Sequence, residues 1–164
     1  MQTLTLEKDA VLTEMASHPA VSSLVALGEG LLTDARFDRQ ELTLTVAPEG
    51  IRHAASAVQA AGFHFLEDVT AVDWLPAEPR FQLSYHIVSY TRKERVRLRA
   101  FVDSIDPSID SITSVWPSAN FYEREVFDLF GIRFHGHPNL RRIMMPDDFE
   151  GHPLRKDYPV EGYR

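Results

Sequence analysis

The chain has 164 residues, 44% hydrophobic and 25% charged, with a net charge of −7 and no cysteine. That size predicts one domain with a real core, and the acidic balance argues against a general binder of nucleic acid or anionic membranes. Without thiols there can be no disulfide, zinc–thiolate site, cysteine nucleophile or cysteine-ligated iron–sulfur cluster.

The opening MQTLTLEKDA lacks the basic-then-apolar order of a signal peptide. No apolar stretch approaches the roughly 20 residues of a membrane span. From Glu7 to about Ala26 the pattern predicts one or two short helices broken near Pro19, with Met15, Val21, Leu24, Val25 and Leu27 as apolar contacts. LLTDARF and ELTLTVAP then alternate and are joined by DRQ, the signature of a hairpin. Leu42, Leu44 and Val46 share one face, Thr43 and Thr45 the other. EGIRHAASAVQAAG predicts a helix with Ile51, Ala54, Ala55 and Val58 on one side and Gly62 as its stop.

FHFLEDVTAVDW contains a strand, and FQLSYHIVSY with RVRLRAFVD forms a second hairpin around TRKE. SITSVW is a further short strand or the lead into the next helix, NFYEREVFDLF. In that helix Asn120 and Glu123 have the spacing of a capping box, and Gly131 fits the left-handed C-terminal position. Hairpins interleaved with helices predict an α+β fold: a two-layer domain with a mainly antiparallel sheet and helices packed on one side. The core domain should span residues 1–134, with a helical N-terminal segment 1–30, and residues 135–164 should form an extended irregular arm.

Two arrangements could carry chemistry, and each has a plainer reading. Arg95, Arg97 and Arg99 share a strand face, as an anion-binding stripe or as a solvated face paired with acidic neighbours. His135, His137 and His152, near Asp147, Asp148 and Glu150, could ligate zinc, iron or manganese in a small hydrolase, or could be turn and interface residues. Gly28–Gly30 lacks the third glycine of a dinucleotide loop, and neither a GxSxG elbow nor a phosphate-cradling GxxxxGK[ST] occurs. No convincing active site emerges.

The last helix is less ordinary. Glu123, Arg124, Glu125 and Asp128 are interleaved with Tyr122, Val126, Phe127, Leu129 and Phe130. Arg124 and Asp128 are spaced to meet on one face. A last core helix with a charged rim and a helix covered on two sides both fit. The arm that follows is irregular, yet carries Leu140, Ile143, Met144, Met145, Phe149, Leu154, Tyr158 and Tyr163, too many bulky groups for a loose tail. Such a segment is expected to lie on another protein.

EREVFDLFGIRFHGHPNLRRIMM and its continuation PDDFEGHPLRKDYP resemble the signature of the C-type, 30-kilodalton subunit of respiratory complex I, the NADH–quinone oxidoreductase. The likeness is most specific over Glu123–Pro159 and weaker over Leu31–Trp116. The chain ends soon after KDYP, so a longer tail of some relatives is expected to be missing.

The resemblance implies a peripheral-arm subunit at the cytoplasmic side of the inner membrane. It would dock on the D-type subunit, the large one that shapes the quinone cavity, and lie near the B-type subunit. It implies no cofactor in this chain, with FMN and iron–sulfur clusters in other subunits, and a supporting role in electron transfer from NADH to quinone. Related subunits occur in membrane-bound hydrogenases and in ferredoxin- or F420-dependent complexes. Within this frame, Glu123, Arg124, Glu125 and Asp128 are expected to form a charge network where arm meets domain. His137, Arg141, Arg142, Arg155, Lys156 and Asp157 are expected to hold the arm on its partner.

Overall fold

The computed structural model describes residues 5–161. Strand β1 (Thr5–Leu6) is followed by helices α1 (Lys8–Glu14) and α2 (Pro19–Val25). Pro19 is the first residue of α2, where its fixed φ suits a helix start and its missing N–H costs nothing. Strands β2 (Leu32–Asp38) and β3 (Glu41–Val46) form the expected hairpin, and Arg39 and Gln40 at its turn both adopt positive φ, 51° and 65°. Helix α3 (Ile51–Ala60) buries the four apolar residues expected of it.

Strands β4 (Phe65–Asp73), β5 (Phe81–Ser89) and β6 (Glu94–Val102) complete one six-stranded sheet in the order β1-β2-β3-β6-β5-β4. All pairings are antiparallel except β3 with β6. The parallel pair places Leu42 beside Val96 and Leu44 beside Leu98. Those side chains, with Tyr85 and Ile87, make the inner face, against which Ile51, Ala55 and Val58 of α3 form a shared core. The fold is therefore the two-layer α+β type that the alternation of hairpins and helices predicts.

The opposite face carries the arginine stripe, and each arginine has an acidic neighbour. Arg95 pairs with Glu67, Arg97 with Glu41, and Arg99 with Asp34 at 3.2 Å. A paired sheet face is what the plainer reading of that stripe expects.

Near the C-terminus the elements depart from the sequence pattern. SITSVW is not a strand. Strand β7 is Ser108–Asp110, just upstream, and it pairs in parallel with β8 (Arg133–His135). Residues 111–116 turn instead, burying Ile112 and Trp116. Helix α4 (Ala119–Phe130) begins one residue before Asn120, so no capping box forms, and Ser118 at the cap position makes no side-chain bond to the helix. Gly131 ends α4 with φ of 72°, as its position predicts. Regular structure continues through His135, one residue into the expected arm, and residues 136–161 contain no helix or strand. Tyr163 lies outside the described residues.

Candidate functional site

Helix α4 lies between the sheet and the arm. Its position 128 faces the arm and is an aspartate with no solvent exposure. The Asp128 Oδ2 accepts the backbone N–H groups of Ile143, Met144 and Met145 at 2.9, 2.7 and 2.9 Å. Its Oδ1 meets Arg142 Nη1 at 2.7 Å. Burial alone would push this carboxyl up, but the three amides and the guanidinium outweigh it, and its pKa falls below the ordinary value. Arg142 also donates to the Gly151 carbonyl, folding the arm over itself.

Arg124 does not pair with Asp128, as the i,i+4 spacing suggested. It donates instead to the carbonyls of Arg141 and Arg142, at 3.1 and 3.0 Å. The open carbonyls at the end of α4 are satisfied by the arm as well. His152 Nδ1 lies 2.9 Å from the Asp128 carbonyl, Leu154 N–H donates to Leu129 O, and Arg155 Nε donates to Phe130 O. The arm passes so close at this point that a Cβ on Gly131 would lie 2.5 Å from the His152 ring.

A second latch holds the far end of the arm. Arg80 grips Asp73 through Nε and Nη2, at 2.9 and 2.7 Å, and Asp157 through Nη1 and Nη2, at 2.9 and 2.7 Å. The Lys156 backbone N–H also donates to Asp73. Hydrogen bonding to Arg80 pulls the Asp73 and Asp157 carboxyl groups below their usual range. The sequence reading missed Arg80 and Asp73. The available signal was the phase of β4, because Asp73 follows the inward-facing Val69 and Ala71 and a charge there requires a partner.

Glu123 is buried on the sheet side of α4. It accepts the Ser111 hydroxyl at 2.6 Å and the Ile112 N–H at 2.8 Å. Burial dominates and raises its pKa to about 7, despite those two bonds. His137 Nε2 stands 4.0 Å away but bonds to the Asn120 carbonyl, while Nδ1 accepts the Asn139 N–H. That pattern fixes a neutral imidazole with its proton on Nε2.

Of the remaining candidates, Glu125 and Arg141 are exposed and have no hydrogen-bond or ionic partner through their side chains among the described residues. His135 is exposed on β8, and His152 is tied to α4. The three imidazoles are not brought together, and among the described residues no group of three His, Asp or Glu side chains could hold a metal ion. What the site can do chemically is present a fixed surface. Arg142, His152 and Arg155 of the arm turn inward to α4, while Phe121, Met144 and Leu154 stay outside at 62%, 58% and 52% exposure.

Residues 44–164 match the family described as the 30 Kd subunit of the respiratory-chain NADH dehydrogenase. The C-type subunit of NADH-quinone oxidoreductase from Roseiflexus sp. (strain RS-1) is 48% identical over 138 residues, covering 82% of this chain and 79% of that protein. The C-type subunit from Citrifermentans bemidjiense is 48% identical over 147 residues, covering 89% and 91%. Among solved structures, a trypsin-resistant fragment of Nqo5 aligns with a TM-score of 0.58 at 38% identity, covering 61% of this chain and 83% of that one. A chain from an archaeal membrane-bound sulfane sulfur reductase shares the fold, with a TM-score of 0.75 at 24% identity over 88% of this chain and 86% of that one. No helix among the described residues is long and apolar enough to cross a membrane. A family match across most of the chain, and relatives that match over most of their own length, fix the assignment: this chain belongs to the family of the 30-kilodalton, C-type subunit of NADH-quinone oxidoreductase.

Proposed function

We propose that this chain is a non-catalytic docking subunit of the peripheral arm of the complex. It binds the D-type, quinone-site subunit through the outer side of residues 136–161, with the B-type subunit nearby, and FMN and iron–sulfur clusters reside in other subunits. It reaches the cytoplasmic side of the inner membrane only through the complex. One observation carries this reading. The arm uses its amides, Arg142 and Asp157 on its own domain, and leaves Phe121, Met144 and Leu154 uncovered. Large apolar side chains on a fixed surface are what a protein partner covers.

The expected partner contacts are divided accordingly. Arg142, Arg155 and Asp157 position the arm. Arg141, Glu125 and the apolar groups face the partner.

Affinity capture from native membranes tests this with two tagged forms, full length and truncated after Phe134. The full-length form should recover a large quinone-reducing complex and the truncated form should not. Equal recovery by both would place the docking surface elsewhere.

A further inference from the structure

The two edges of the main sheet are guarded unequally. At one edge, β1 covers the end of β2, and the Lys8 ammonium donates to the Thr33 carbonyl. These are ordinary protections against strand addition. At the other edge lies β4, nine residues long, paired only with β5. Among the described residues, no backbone group of Phe65–Asp73 bonds to anything beyond β5. Half the amide and carbonyl groups of a strand at an edge point away from its neighbour and require water or another strand.

The edge is not uniform. A register shift lies between Leu66 and Asp68, and Glu67 and Asp68 are charged, so pairing is hindered there. From Val69 to Asp73 the register is regular. The solvent-facing side chains here are Thr70 and Val72, followed by Trp74, which is 48% exposed. No charge projects from this stretch, because Asp73 is turned inward to Arg80. The stretch ends where the arm is latched to the domain. Lys156 bonds through its backbone to Asp73 and through its side chain to the Leu75 carbonyl. A protein lying on the outer side of the arm therefore reaches the β4 edge without a gap.

We infer that the β4 edge between Val69 and Asp73 receives an extended segment of a neighbouring subunit, which adds to the sheet as a seventh strand. The occupant's chemistry follows from the edge. Its backbone must be extended to meet the open amides and carbonyls, and apolar side chains must alternate to cover Val72 and Trp74. This inference rests on the chain being a subunit of a larger complex.

Hydrogen exchange on residues 65–74, compared between the isolated chain and the purified membrane complex, tests it. The outward amides should exchange fast in the isolated chain and slow by ~tenfold or more in the complex. Val72→Lys and Thr70→Lys, both at exposed positions, should leave the isolated chain folded and reduce its incorporation several-fold. Equal exchange in both states, with the chain present in the complex, would overturn the strand addition and leave the docking reading intact. Concentration-dependent protection in the isolated chain, together with dimer mass, would overturn it in favour of a second copy. Failure to find the chain in any complex would overturn both readings.

Discussion

Glu123 and Asp128, both fully buried on α4, are tuned in opposite directions. Glu123 has one hydroxyl and one amide against the cost of burial, and its pKa rises to about 7. Asp128 has three amides and a guanidinium, and its pKa falls. One helix thus holds an acid that resists ionising on its domain side and an acid that resists protonation on its arm side.

Raising the pH should weaken the domain through Glu123. Its folded pKa lies above the unfolded value of 4.5, so its contribution is full below that value and is lost as pH rises through about 7. The change should be roughly 3 kcal/mol across that window. Urea denaturation at several pH values should show this slope in the wild type, and Glu123→Gln should flatten it. An unchanged slope in the variant would assign the effect to another group.

Acid should release the arm. Asp128, Asp73 and Asp157 all have lowered pKa values in the folded chain. Their contribution is full above the ordinary aspartate value of 3.8 and disappears as pH falls through the lowered values. Trypsin is poorly active at low pH, so pepsin is the suitable probe. Cleavage within residues 140–160 should accelerate as the pH drops below that of the free carboxyl, while the sheet remains resistant.

Asp128→Ala should detach the arm outright. The change leaves three amides and a half-buried arginine without their acceptor, a loss of ~3–5 kcal/mol. At neutral pH, trypsin should then cut rapidly at Arg141 and Arg142. Slow cleavage like that of the wild type would show that other contacts suffice to hold the arm.

Arg141→Ala and Arg142→Ala should separate docking from folding. Arg142 anchors the arm to Asp128, and its loss should cost the isolated chain about 2–3 kcal/mol. Arg141 is exposed, and its removal should change stability by no more than ~0.5 kcal/mol while reducing capture of the complex. Adjacent arginines with the reverse pattern would exchange the two roles.

Gly131→Ala should lose ~1–2 kcal/mol from its left-handed backbone alone. The added methyl also meets His152 and Arg155, so the arm should become more open to protease. Gly62→Ala provides the control, since φ there is also positive but its Cβ would meet nothing. Equal protease sensitivity in the two variants would mean that the His152 contact does not hold the arm.

Much of the fold was legible because it is written in local periods. The alternation in ELTLTV, the apolar face of α3 and the stop at Gly131 each depend on neighbouring residues only. The parallel pairing of β3 with β6 was not legible, since it joins segments about fifty residues apart through side chains that would suit an antiparallel partner equally well. Glu123 shows a local pattern losing to a distant one. Its spacing from Asn120 fits a capping box, yet its position on the inward face of α4 gives it to Ser111 and Ile112. The arm's charges read as binding groups, but charge alone does not say whose partner they bind. Arg142 and Asp157 find theirs within the chain, through Asp128 and through an arginine that no motif marked.

The Arg80–Asp157 latch spans 77 residues, and its partner Asp73 lies at the end of β4. It can close only after the β4–β5 hairpin and α4 are in place, because those elements hold the two aspartates within reach of one guanidinium. The arm should therefore be the last element to settle during folding and the first to leave during unfolding. A substitution at Asp157 would then accelerate unfolding and leave the refolding rate nearly unchanged. During synthesis, residues 142–157 emerge after the groups of α4 and β4 that hold them, so the docking surface comes into being only once the domain beneath it has been made.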